Sequence, residues 1–220
     1  MRIYPDTFVF LKELAENNNR DWFMANKKRH DEARENVIEF SAALVRELSK
    51  IDPAVNADID PKKTVMRIYR DIRFSADKTP YKNNFAIGRL TTAGTLSAGY
   101  YIHIQPDNSG VAGGTWMPEA EVLKKIRQEI DYNAGAIKKI IDDPEYVKLF
   151  GDFRSQEKIK TVPREYSADN ENIELLKLKS FIAWHDFTDK EMMEENITGR
   201  IALMCEKIYP LNVFLNNAIA

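Results

Sequence analysis

The chain has 220 residues, 44% of them hydrophobic, which is enough apolar side chain for a sizeable core and too much for a disordered polymer. Thirty-two Lys and Arg against thirty-four Asp and Glu leave a formal charge of −2, which excludes general charge-driven adhesion to DNA or acidic membranes, so any attraction for anions has to be local. The single cysteine, Cys205, excludes an internal disulfide and falls in an apolar helical register, so a buried thiol is expected.

The N-terminus reaches Asp6 and Lys12 before any apolar run could serve as a signal core, and no later run approaches the roughly 20 apolar residues that a bilayer requires. A soluble, cytoplasmic protein with no membrane partner is expected. After Pro5, Phe8, Leu11 and Leu14 share a helical stripe that stops at the Asn17 to Asn19 cluster. From Arg20 to about Lys50 the line Phe23, Asn26, His30, Ala33, Val37, Phe40, Leu44, Leu48 steps by three and four, as one long helix or two consecutive ones would.

The period changes at Thr64. In "TVMRIYRDIRF" Met66, Ile68, Ile72 and Phe74 alternate with Arg67, Tyr69, Asp71 and Arg73, a strand pattern that puts Arg70 on the apolar face. Strands are also expected over 84–90, 99–105 and 110–116, the last two joined by the turn "PDNS". Pro118 opens a helix aligned on Val122, Ile126 and Ile130, Gly135 marks a break, Pro144 begins a short helix, and 177–187 reads as another strand. Thr188 and Glu191 fit a capping box for a final long helix, which Pro210 is expected to interrupt. The sum is a single α+β domain over 1–220: an antiparallel sheet of about four to five strands flanked by N-terminal and C-terminal helices.

The stretches "NNNRDWFMANK" (17–27), "RIYRDIRFSADKTPYK" (67–82), "GYYIHIQ", "GGTWMP" and "ELLKLKSF" (174–181) resemble, in order and over most of the chain, the domain-of-unknown-function family numbered 2461. The resemblance implies one domain running nearly the full length, and it carries no catalytic role to any residue. Where the family's pattern has a glycine before the tyrosine of the "PREYSADN" region, this chain has Glu165 before Tyr166.

Residues 67–84 concentrate Arg67, Arg70, Arg73, Lys78 and Lys82 beside Tyr69, Phe74 and Tyr81. Guanidinium forks match phosphate or carboxylate oxygens, and lysines add mobile point charges, so a concave arrangement of these groups would select anions. Strand alternation separates Arg70 from Arg67 and Arg73, whereas the loop "SADKTPYK" can fold Asp77, Lys78, Tyr81 and Lys82 over either face, with Pro80 restricting its path. The bland reading stands beside this one: Arg67 and Arg73 pair with Asp71 on a solvated face, a contact worth about 0 to 1 kcal/mol. Arg70, placed toward the core, needs either an acidic partner or a wet cleft.

The catalytic candidates are His103, Tyr81 and Asp77, with His103 or Tyr81 as proton donor or orienter. His30 and His185 are equally compatible with structural hydrogen bonding. Three scattered histidines and one cysteine have no zinc spacing and no EF-hand loop occurs, so no tightly bound structural metal is expected. The stretch "GVAGG" lacks a Walker lysine, no GxGxxG opens a helix, and Gly113 and Gly114 are expected to permit a bulge or close backbone approach. No motif names a cofactor or an oligomeric state.

Three functions stay open. The first is binding, with turnover as an extension, of a small phosphate- or carboxylate-bearing ligand at a basic and aromatic cleft. The second is a nucleic-acid or acidic-protein interaction module, with nucleic acid less favoured by the net charge. The third is a non-catalytic structural domain.

Overall fold

A proline at the first position of a helix sacrifices nothing, since the N–H it lacks would have no intrahelical partner there, and α1 begins on Pro5 and runs Pro5–Glu16. The computed structural model describes residues 1–91 and 98–220. After α1 come α2 (Arg20–Ala25), α3 (Lys27–Leu48), α4 (Pro61–Thr64), β1 (Phe85–Ile87), β2 (Gly99–Ile104) and β3 (Ser109–Thr115). Then follow α5 (Ala120–Tyr132), α6 (Ala134–Ile141), α7 (Pro144–Phe150), α8 (Ile173–Leu176), β4 (Phe181–Phe187), α9 (Asp189–Met192) and α10 (Ile197–Ile219). The strands form one antiparallel sheet in the order β1-β2-β3-β4, so the protein is α+β with helices at both ends of the chain. Among the described residues no helix is long and apolar enough to cross a membrane.

The tract Asn17 to Asn19 shows how a local cluster is divided between tasks. Asn17 Nδ2 donates back to Glu13 O at 2.9 Å and closes α1, while Asn19 Oδ1 accepts from Trp22 N at 3.0 Å and caps α2. The side chain of Asn18 is left to reach elsewhere. The predicted stripe from Phe23 to Leu48 is then shared between α2 and α3, and all of it is buried except Asn26, which forms the joint.

Packing of the described residues divides into two units, the first within residues 1–91, 101–111 and 186–203, the second within 98–100, 112–185 and 204–220. In the first, Phe10, Leu11 and Leu14 of α1 and Val37, Phe40 and Leu44 of α3 are buried, as are Phe85, Ile87, Ile102 and Ile104. The β1–β2 register pairs Phe85 with Ile104, Ala86 with His103 and Ile87 with Ile102, so pleat alternation sets Tyr101, His103 and Gln105 on the face opposite the isoleucines. In the second unit Ile126, Ile130, Ile137, Leu176, Phe181, Ile208 and Leu211 form the core, and Cys205 is buried among the described residues as its register indicated.

Several expected elements differ. The extended segment after Thr64 is not a regular strand: among the described residues its strand pairing is limited to the isolated bridges Val65 to Ile87 and Tyr69 to Tyr81. Arg70 N donates to Pro80 O at 3.0 Å, but Pro80 has no N–H to return the bond, and the ladder lapses there. The break assigned to Gly135 falls at Asn133, with Gly135 inside α6. The Thr188 and Glu191 capping box is present but starts the four-residue α9, and α10 is a separate helix. Pro210 lies within α10 and does not end it, because Ile208, Leu211 and Leu215 on either side are fully buried and offset the lost bond.

His30 lies in an aromatic cage, 6% exposed, with ring centroids 5.0 Å from Phe23, 5.9 Å from Phe10 and 6.0 Å from Phe85. Its Nδ1–H donates to Asp31 Oδ1 at 2.9 Å, and Nε2 is buried with no partner among the described residues. Burial lowers its pKa below the ordinary 6.5; Asp31 opposes this shift, while Lys27 and Arg34 add to it. A depressed folded-state pKa means that the His30 contribution is complete above about 6.5 and is lost as pH falls from there through the folded value. Urea midpoints measured from pH 8 to pH 5 are expected to drop more for the native chain than for His30→Gln; superimposable profiles would refute this.

Candidate functional site

The motif 67–84 doubles back on itself, and its inner turn is organised by Asp77. Thr79 N donates to Asp77 Oδ1 at 2.9 Å and Thr79 Oγ1 donates to Asp77 Oδ2 at 3.1 Å, an Asx-type turn that fixes the carboxylate. Arg70 NH1 then donates to Asp77 Oδ2, to Thr79 Oγ1 and, at 3.1 Å, to Thr79 O. The backbone N–H of Thr79, the Arg70 guanidinium and the Thr79 hydroxyl, in that order, pull the Asp77 pKa down to about 2. Asp77 is therefore a counter-ion at any pH near neutrality.

Asn18 ties the returning limb to the helices. Its Nδ2 donates to Tyr81 O at 2.8 Å and its Oδ1 accepts from Tyr81 N at 3.0 Å, so one side-chain amide does the work of a neighbouring strand. The Tyr81 ring, also buried, stacks on Phe23 at 4.0 Å and 15°. Burial, with Tyr69 second, raises its phenol pKa, so the hydroxyl is a donor and not a base.

These contacts enclose one side of a cavity of about 490 Å³ lined by Ala15, Asn18, Arg70, Asp77, Thr79, Tyr81, Lys82, Asn83 and Asn84. Its wall carries two cations, Arg70 and Lys82, against one carboxylate, Asp77. Arg70 is held by that carboxylate; no carboxylate pairs with Lys82 among the described residues. Asn84 connects this wall to the outer face of β2. His103 Nε2–H donates to Gln105 Oε1 at 2.8 Å, which leaves the single Nδ1 lone pair shared between two donors, Asn84 Nδ2 at 2.9 Å and Tyr101 OH at 3.1 Å. His103 thus stands behind Asn84 and orients it.

Of the sequence candidates, Arg70, Asp77, Tyr81 and Lys82 share the cavity wall. Arg73 is turned to Asp71 at 2.7 Å, as the solvated-face reading has it, and Arg67 is exposed. Lys78 Nζ donates to Ile72 O at 3.0 Å, so it braces the loop from outside the wall. The three asparagines and Thr79 were not among the candidates. The asparagines had a signal in two amide clusters, 17–19 and 83–84, whereas Thr79 had none.

A larger hollow of about 620 Å³ is lined by α1 and α3 residues, including Asp6, Glu32, Glu35 and Glu39 against one cation, Arg29, itself paired with Glu13 at 2.6 Å. Four carboxylates disfavour an anion there, so size does not identify the site.

No curated protein and no solved structure matches the chain. The family described as conserved hypothetical protein (DUF2461) matches residues 6–214, which include every residue of the cavity wall. The chain belongs to the DUF2461 family.

Proposed function

We propose that the cavity beside residues 67–84 binds a small polar molecule bearing a phosphate or carboxylate group. The single observation that carries this reading is Lys82, a half-buried cation with no carboxylate partner among the described residues, on the same wall as the Arg70 guanidinium. The volume suits a small ligand, and a wall rich in amides and hydroxyls suits one with several hydrogen-bonding groups. Binding is favoured over turnover: Asp77 is locked as a carboxylate, Tyr81 as a phenol, and both ring nitrogens of His103 are engaged.

Thermal-shift screening against phosphomonoesters, mononucleotides and small carboxylates tests the reading. At least one class should raise the melting temperature, with an apparent affinity about tenfold weaker or worse in Lys82→Met, the scale of a lost hydrogen bond to a charged group. No response from any compound, or a response unchanged in Lys82→Met, counts against it.

The interaction-module reading is favoured by Phe74, 96% exposed, with the Arg73 guanidinium 5.9 Å above its ring. That reading predicts oligonucleotide or acidic-protein binding that weakens steeply with salt and with Phe74→Ala, and is indifferent to Lys82→Met.

A further inference from the structure

The second unit contains another hollow, of about 190 Å³, where residues 163–166 meet α5. Lys124 and Arg127 are three residues apart on α5 and share one face, while Ile126 and Ile130 are buried. The hollow is lined by both cations together with Arg164, Glu165 and Tyr166, three positive groups against one carboxylate.

Two nearby acids are already engaged. Glu165 holds Lys124 at 2.8 Å, and Asp131 accepts from Asn170 Nδ2 at 2.7 Å. Among the described residues, neither Arg127 nor Arg164 has a carboxylate partner. Arg127 is half-buried, gives NH2 to Leu178 O at 3.3 Å, and has a buried Nε with no acceptor among the described residues. Burial lowers its pKa, and the Tyr166 phenol beside it is kept protonated first by burial, with Asp131 and Glu165 adding to that shift and Arg127 and Lys124 opposing it. A guanidinium drawn out of water without a counter-charge is unfavourable unless an anion completes the arrangement.

We propose that this hollow is a site for a tetrahedral oxyanion, a phosphate group either free or at the end of a larger molecule, held by the Arg127 fork with Arg164 and the Tyr166 hydroxyl as further donors. The volume admits the oxyanion and not a nucleotide, so the body of any larger ligand lies outside it. Lys124, already neutralised by Glu165, contributes position more than charge.

The test is an NMR titration of the full ¹⁵N-labelled chain with inorganic phosphate at fixed ionic strength, repeated with glycerol phosphate and with chloride. Saturable shifts are expected at the Arg127 Nε–H and the Tyr166 amide with phosphate and not with chloride. They should saturate at about tenfold higher concentration, or not at all, in Arg127→Gln and Arg164→Gln, and be unchanged in the exposed control Lys28→Gln. Saturation first by inorganic phosphate identifies the free ion, and tighter binding of glycerol phosphate identifies a terminal phosphate; both support the site. Shifts that never saturate, that chloride reproduces, or that survive both arginine substitutions overturn it. Should Arg127→Gln not fold, Arg164→Gln, at an exposed position, decides alone.

Discussion

Phe23→Ala is expected to destabilise the protein by about 3 to 5 kcal/mol, the range for removing a fully buried aromatic ring. Phe23 is 1% exposed and its ring meets three others, Tyr81 at 4.0 Å, His30 at 5.0 Å and Tyr69 at 6.3 Å, while His30 in turn meets Phe10 and Phe85. The truncation leaves a void in the first unit and also removes the surface on which Tyr81 is stacked, so the cavity wall loosens with the core. Urea denaturation gives the stability change, and the melting temperature should fall on the order of 10 °C for a chain of this length. A loss below about 1 kcal/mol would show that the aromatic cluster tolerates collapse and that the wall does not depend on it.

Gly114→Ala should be comparably severe in the second unit, costing about 3 kcal/mol or more. Gly114 has φ +112°, a region that side-chain-bearing residues rarely enter, and a Cβ there would sit 1.9 Å from Phe181 O. That neighbour is strand backbone, so relief requires β3 and β4 to part. Its neighbour Gly113 offers the control. A Cβ at Gly113 meets Ile208 Cγ2 at 2.2 Å, the end of a side chain that can turn aside, so Gly113→Ala should cost less than Gly114→Ala. The reverse order in parallel denaturation curves would contradict the close-approach account of this glycine pair.

The contrast between these glycines and the 67–84 motif explains what was legible in the sequence. Close approach at Gly113 and Gly114 could be read because only glycine permits it, and the stripe from Phe23 to Leu48 could be read because helical burial is periodic. The alternation of Met66, Ile68, Ile72 and Phe74 was equally regular yet misleading: Ile68 is buried, but Phe74 projects into solvent. Alternation reports a face only while a ladder continues, and here it lapses at Pro80, where an Asp77-centred turn takes over. Arg70 therefore meets both conditions set by its charge, an acidic partner and a cleft. The role of Asn18 had no local signature, since an amide that serves Tyr81 across 63 positions looks in sequence like the helix terminators beside it. Pro210 was misread for a related reason, because tertiary burial on both sides outweighs the local preference for a break.

The proposed site requires Lys82 and Arg70 to serve one bound anion together. The most direct measurement is a side-chain NMR titration of the labelled chain with glycerol phosphate, phosphoserine and citrate at fixed ionic strength, following the Asn18 and Asn84 amides and the Lys82 ammonium. Saturable, concerted shifts of these three groups with at least one probe, absent in Lys82→Met, are predicted. Movement of Lys82 without the asparagines, or shifts that grow linearly with every anion, would rule out a shared site.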